Sequence, residues 1–160
     1  MRHESEVKLA IDKYADMIRK ICFVQCKNEA DVDDVFQNVF IKYYQHDDTF
    51  ASEEHEKAWI IRVTINACHD LFRGMFQQKV DLAEDMHKFS IDVSTDSGQL
   101  ISYVRQLKTN WRNAIYLHYY EGYSVKEVAQ LLRVNEGTIA TWIHRGKKKL
   151  KTMIGGDFFD

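Results

Sequence analysis

The sequence predicts an all-α protein made of two small helical domains joined by a flexible linker, the C-terminal one a helix-turn-helix. Three observations carry that prediction. The 160 residues include no proline, which suits helices joined by short turns. Apolar residues recur at spacings of three and four in successive segments. Asn or Ser stands where several of those segments begin, where its side chain can cap a helix.

The apolar share of 45% and charged share of 29% are ordinary for a soluble globular protein, and the length fits one or two domains with modest cores. The net charge of −2 hides an asymmetry: residues 1–76 carry −4, residues 77–98 carry −3 and residues 99–160 carry +5. An acidic front and a basic back suit different partners, the basic one polyanions. No apolar run reaches the length of a membrane span; "WIIRVTI" is broken by Arg62. The charged N-terminus lacks a secretory pattern and the cysteines are odd in number. The expected setting is therefore the reducing cytoplasm, without membrane insertion.

The elements follow in order. Val7, Ile11, Tyr14, Ile18, Ile21 and Cys22 mark a first amphipathic helix of roughly five turns. Asn28 caps a second, with Glu29 and Asp31 in its first turn and Val32, Val35, Phe36, Val39, Phe40 and Tyr43 as its stripe. Ser52 caps a third, running towards Gly74 as a stop. This helix has two apolar stripes, Ile60, Val63, Ala67 and Leu71 beside Ile61, Ile65, Cys68 and Phe72. Between them runs a polar ladder of Arg62, Asn66, Asp70 and Arg73, which reads either as an internal row of ion pairs or as an edge for a partner. Residues 77–98 lose the periodicity and end in "STDSG", the pattern of a linker. Helices are expected again over Gln99 to Leu107 and Trp111 to Glu121, with Gly122 as the stop.

"SVKE", Ser124 to Glu127, has the spacing of a capping box. Val125, Val128, Ala129 and Leu132 supply its buried stripe, the turn Arg133-Val134-Asn135 follows, and Ile139, Ile143, Gly146 and Leu150 anchor a longer basic helix. Short helix, short turn and basic helix make a helix-turn-helix, whose second helix fits a major groove about 12 Å wide. On this phasing Glu136, Thr138, Ala140, Thr141, His144, Arg145 and Lys148 point outward. Thr141 and Arg145 are placed for bases or nearby phosphates, and Lys147, Lys148, Lys149 and Lys151 for phosphates. Taken alone, "GKKKLK" reads as a solvated last turn favoured by the helix dipole; its position after a capped helix and a turn favours DNA. Trp142 lies on the border between core and DNA side.

Enzymatic chemistry finds no support. Cys22 and Cys26 lack a zinc-site spacing with other ligands, and Cys22 fits an apolar stripe, so no metal or cofactor is expected. "GKKK" is not a phosphate-binding loop, because the required earlier glycine falls at Thr141. No nucleophile stands beside a partnered base.

Three stretches resemble the extracytoplasmic-function (ECF) sigma factors of bacterial RNA polymerase. "DVDDVFQNVFIKYY" (31–44) is similar to the family's second conserved helix. "KAWIIRVTINACHDLFRG" (57–74) resembles its promoter-melting helix and "EGTIATWIHRGKKKL" (136–150) its recognition helix. The resemblance implies that residues 1–76 bind the polymerase clamp helices and the minus-ten element, and that residues 99–160 bind the minus-thirty-five element. It implies polymerase contacts at Asp34, Gln37, Asn38 and Ile41, and minus-ten contacts at Trp59, Arg62, Asn66, Asp70 and Arg73, with Phe50 in the preceding loop read as part of the same pocket for a base. For Phe50, the residues alone read equally as a loop anchor. Minus-thirty-five contacts fall on Ser124, Glu136, Thr138, Thr141, Trp142, Arg145, Lys147 and Lys148. The implied partners are core RNA polymerase, through its clamp helices and flap, promoter DNA, and an anti-sigma factor. A helix-turn-helix regulator that binds duplex DNA by itself is the alternative, and it leaves the acidic first domain without a role. The chain departs from the family pattern at Lys108, where Pro is usual, at Asn38, where Glu is, and at Ala140 and Trp142, where basic residues are common. Arg133 occupies a turn position that commonly takes Gly for its positive φ.

Overall fold

A computed structural model describes the backbone of residues 1–26, 28–76 and 96–155, with side chains at all of these except 72–76 and 96–99. The regular structure among the described residues is helical, and the chain divides into two compact units, Met1–Phe89 and Ser90–Asp160. No helix among the described residues is long and apolar enough to cross a membrane.

The first unit contains α1 (Glu4–Gln25), α2 (Glu29–Gln45) and α3 (Glu53–Phe76), each packed on the other two. The caps are where the sequence puts them: the Asn28 side chain accepts from the Asp31 N–H at 2.9 Å and Ser52 Oγ from the His55 N–H at 3.1 Å. Tyr14, Ile18 and Cys22 of α1 meet Val32, Val35, Val39, Phe40 and Tyr43 of α2, with Ile60, Ala67 and Cys68 of α3 closing the core. Each fully buried aliphatic side chain here contributes about 1.5–3 kcal/mol. Helix α3 is enclosed along the middle of both stripes, where Ile60, Ile61, Thr64, Ile65, Ala67 and Cys68 are buried, while Val63 and Leu71 are half-buried. The Thr64 hydroxyl is satisfied within the helix by donating to the Ile60 carbonyl at 2.7 Å. Gly74 does not stop α3, which runs on to Phe76. A glycine inside a helix costs only about 1 kcal/mol, less than the upstream packing supplies.

A polar clasp joins the three helices. Tyr14 of α1 and Tyr43 of α2 donate to the two carboxylate oxygens of Glu56 in α3, at 2.8 and 3.0 Å, and Lys13 pairs with Glu53 beside them.

In the second unit α4 (Asp96–Val104) starts three residues before the expected Gln99 and ends in a turn, where the Gln106 and Leu107 N–H groups bond the Tyr103 and Val104 carbonyls, both at 3.0 Å. Residues 77–95 of the expected linker lie outside the described residues, and 96–98 belong to α4. Lys108 adopts φ −58°, the value a proline would enforce, and so admits α5 (Thr109–Ile115) without one. The expected helix to Glu121 is present, but its last part, Tyr116–Tyr120, is π-wound before Gly122 turns the chain at φ +76°. Helices α6 (Val125–Leu132) and α7 (Glu136–Ile154) follow. Gly146 lets α7 approach α5: a Cβ there would lie 2.9 Å from Ile115 Cγ1 and 3.4 Å from Trp111 Cβ.

The clasp gives the first unit a pH dependence. Burial, and then the Glu56 carboxylate, push Tyr43 up to about 12 and Tyr14 higher still. Unfolded tyrosines ionise near pH 10, so above it the folded chain keeps protons that the unfolded chain has released. Stability from these hydroxyls is complete below about pH 10 and falls as the pH climbs towards the folded values. Urea titrations of the Tyr14→Phe, Tyr43→Phe double variant are expected to show a shallower alkaline loss than wild type; parallel curves would contradict the clasp.

Candidate nucleic-acid interface

Helix α3 offers its polar edge because its other sides are consumed by packing. Asn66 and Asp70 are exposed and Arg62 is half-buried, its Nε without a hydrogen-bond partner among the described residues. Arg73 continues the same edge on the helix backbone, its side chain lying outside the described residues. Arg62 to Arg73 spans about 16 Å of helix, and the Asn66 amide presents both donors and an acceptor.

Trp59, one turn before Arg62, joins Phe50 in an aromatic cluster. Their rings are 5.6 Å apart, His46 lies 4.7 Å from Trp59 and 5.0 Å from Phe50, and Tyr43 is 6.2 Å from each. The Arg2 guanidinium sits 4.7 Å from the Tyr43 ring and 4.8 Å from that of Phe50, while it donates to the Asp48 carbonyl at 2.6 Å. Phe50 is thus a loop anchor against the core that keeps part of its ring exposed. Tyr43, His46 and Arg2 were missed as members of this cluster. Tyr43 read as a core residue, and nothing local in the sequence shows that the chain start and the turn before α3 converge there.

On α2, Asp34, Gln37, Asn38 and Ile41 share one exposed face opposite the core stripe, with Ile41 52% exposed.

The helix-turn-helix is built by local hydrogen bonds. Ser124 Oγ accepts from the Glu127 N–H at 3.1 Å, and the Glu127 carboxylate accepts from the Ser124 N–H at 2.9 Å, which completes the capping box. One lone pair of the Ser124 hydroxyl is taken by the cap, and its proton remains to donate. Arg133 takes φ +56° and ψ 47°, so this non-glycine residue carries the left-handed turn. Its N–H and that of Val134 both reach the Ala129 carbonyl. Asn135 then caps α7 by accepting from the Gly137 N–H at 2.7 Å.

Ile139, Ile143, Gly146 and Leu150 are buried as the periodicity requires, while Glu136, Ala140, Thr141, His144, Arg145, Lys148 and Lys149 are exposed. Thr138, Trp142, Lys147 and Lys151 are half-buried on the border. Within α6, Leu131 is buried and Leu132 only half-buried, a shift of the inner stripe by one position. Thr141 donates its hydroxyl to the Gly137 carbonyl at 3.0 Å, leaving an oxygen that still accepts and a methyl for base edges.

The structure also brings Cys68 to Cys22 and Cys26, more than forty positions earlier: the three sulfur atoms lie within 4.8 Å of one another. Contact between the thiols, and burial, hold Cys22 and Cys68 above the usual thiol range.

A capped helix-turn-helix with a basic outer face, on a chain whose other unit carries a polar edge and an aromatic cluster, has the build of a DNA-binding protein. Comparison with known proteins sharpens this. Sigma-70 region 2 matches residues 10–75 and sigma-70 region 4 matches residues 97–150. The chain is 24% identical to the ECF RNA polymerase sigma factor SigW of Bacillus subtilis, covering 90% of this chain and 86% of SigW. It is also 24% identical to SigX of the same organism, over 92% and 83% of the two chains. Among solved structures, the sigma factor RpoE of Bartonella quintana, determined with the anti-sigma factor NepR, superposes with TM-score 0.74 at 19% identity, over 95% of this chain and 98% of that one. CnrH, determined with the cytosolic domain of CnrY, gives 0.67 at 22% identity, over 95% and 89%. The chain belongs to the sigma-70 family of RNA polymerase sigma factors, in its extracytoplasmic-function branch. Members of this family are DNA-binding factors of transcription initiation.

Because Arg133 holds a conformation that costs a non-glycine residue about 1 kcal/mol, Arg133→Gly is expected to keep or slightly raise stability. Arg133→Val is expected to lower it, since a β-branched residue tolerates positive φ worst. Urea midpoints of the two variants check this; equal midpoints would show that the turn conformation carries no strain.

Proposed function

We propose that the chain binds core RNA polymerase through the exposed face of α2, grips the minus-ten element along the edge of α3, and docks α7 in the major groove of the minus-thirty-five element. The polymerase then performs the chemistry at the start site this chain selects. The observation that carries the reading is that both matched regions keep an outward polar face on a helix whose inner face is fully committed to core.

Each surface has a chemistry suited to its target. Asp34, Gln37, Asn38 and Ile41 combine one charge, two amides and an apolar centre for a protein helix pair such as the clamp helices. Melted DNA exposes unstacked bases, and the half-buried rings of Phe50 and Trp59 beside Arg62 and Asn66 supply stacking surface and base-edge partners. Asp70 orients the arginines of the ladder, and Arg73 extends the grip to backbone phosphate. On α7, Thr141 and Arg145 face base edges, Glu136 and Thr138 lie at the groove entrance with Ser124, and Lys147 and Lys148 flank the phosphates. Trp142 divides its surface between core and groove. The second unit also meets the polymerase flap, the complex works in the cytoplasm where polymerase does, and an anti-sigma factor competes for the polymerase-facing surface.

Two measurements separate these surfaces in the full chain. Asp34→Ala combined with Gln37→Ala is expected to weaken co-purification with core polymerase and to leave duplex DNA affinity unchanged; equal loss of both would point to misfolding and remove the assignment. Lys148→Ala is expected to weaken DNA binding alike across sequences and to lower the slope of log K against log salt by about one. An unchanged slope would return Lys148 to solvent.

A further inference from the structure

Cys22 lies in the last turn of α1, Cys26 caps that helix, and Cys68 arrives from α3. The Cys26 N–H bonds the Cys22 carbonyl at 2.6 Å, which holds that pair in register. Cys26 and Cys68 Sγ are 3.7 Å apart, and Cys68 and Cys22 Sγ 4.0 Å. All three are buried, Cys22 at 0%, Cys26 at 5% and Cys68 at 4% exposure, in the core they share with Ile18, Val35, Val39 and Ile60. Neither the polymerase-facing surface nor either DNA edge uses them.

We propose that Cys22, Cys26 and Cys68 form a trithiol site for a trivalent, thiophilic metalloid, with arsenous acid as its simplest carrier. Bonds to sulfur of about 2.3 Å around a three-coordinate centre set the sulfurs roughly 3.5–4 Å apart; two of the pairs already stand at 3.7 and 4.0 Å, and the third lies within 4.8 Å. Charge then selects the occupant. A monovalent or divalent cation held by three thiolates leaves net negative charge in an apolar core, which is costly without a compensating partner. A trivalent centre with three thiolates is neutral. A four-coordinate zinc site needs a further ligand, and among the described residues the ligand group consists of these three sulfurs.

The reaction is a condensation without redox change. As(OH)3 and three thiols give As(SR)3 and three waters; three As–O and three S–H bonds break, three As–S and three O–H bonds form, and arsenic stays trivalent. The product ties the end of α1 to the middle of α3, so occupancy stabilises the first unit.

The test uses the full chain, reduced with a phosphine, incubated with sodium arsenite and freed of excess by gel filtration, with Zn(II) and Cu(I) in parallel. Expected are one retained arsenic per chain, X-ray absorption showing three As–S and no As–O neighbours, a higher melting temperature, and loss of retained arsenic in Cys26→Ser and Cys68→Ala. No retained arsenic, mixed sulfur and oxygen coordination, preferential retention of Zn(II) or Cu(I), or a single variant that binds as well as wild type would each overturn the proposal. Should a variant unfold by circular dichroism, the wild-type absorption spectrum decides.

Discussion

Helix α3 must be buried on both its apolar stripes and still keep a polar edge open, and the first unit is arranged around that constraint. With Ile60, Ile61, Thr64, Ile65, Ala67 and Cys68 all buried, the helix cannot rotate to hide Asn66 and Asp70 without exposing aliphatic surface. Each aliphatic side chain so exposed would cost about 1.5–3 kcal/mol. The Tyr14–Glu56–Tyr43 clasp adds direction to this packing by attaching the first turns of α3 to the two neighbouring helices. A rigid helix with one fixed edge is the kind of element that holds functional side chains in place better than a loop does.

The second unit solves the same problem with local chemistry. Helix α7 gives up one face to Ile139, Ile143, Gly146 and Leu150, and the close approach at Gly146 sets it against Ile115 and Trp111 of α5. Its start is aimed by three devices in a row: the Ser124–Glu127 box, the left-handed Arg133 and the Asn135 cap. The result leaves Thr141, Arg145 and Lys148 exposed on one side, so a short sequence segment carries both the packing face and the face proposed to meet DNA.

Most helices, their caps and the inner faces of α1, α2, α3 and α7 were legible because caps and apolar periods are local signals. What was not legible depends on distant residues or on small energies. The thiol cluster needs Cys68 beside residues more than forty positions earlier, and the aromatic cluster needs Arg2 and the turn at Phe50 to meet. Gly74 failed as a stop because its modest helix penalty was outweighed by upstream packing, and the π-wound turn at Tyr116–Tyr120 has no composition that announces it. Of the residues proposed for the interfaces, Asn66, Asp70, Thr141, Arg145 and Lys148 are exposed where the helical phase puts them, while Thr138 and Lys147 are half-buried because the inner face of α7 is broader than its four anchors.

The central claim is that one chain joins polymerase to promoter by separate surfaces on two units. Transcription by core polymerase reconstituted with this chain on a genomic promoter library tests it most directly. The account predicts transcripts that begin at defined sites and depend on the chain, with a shared pair of upstream elements at constant spacing. Chain-independent initiation, or DNA binding with no effect on initiation, would contradict it and leave a stand-alone helix-turn-helix regulator in its place.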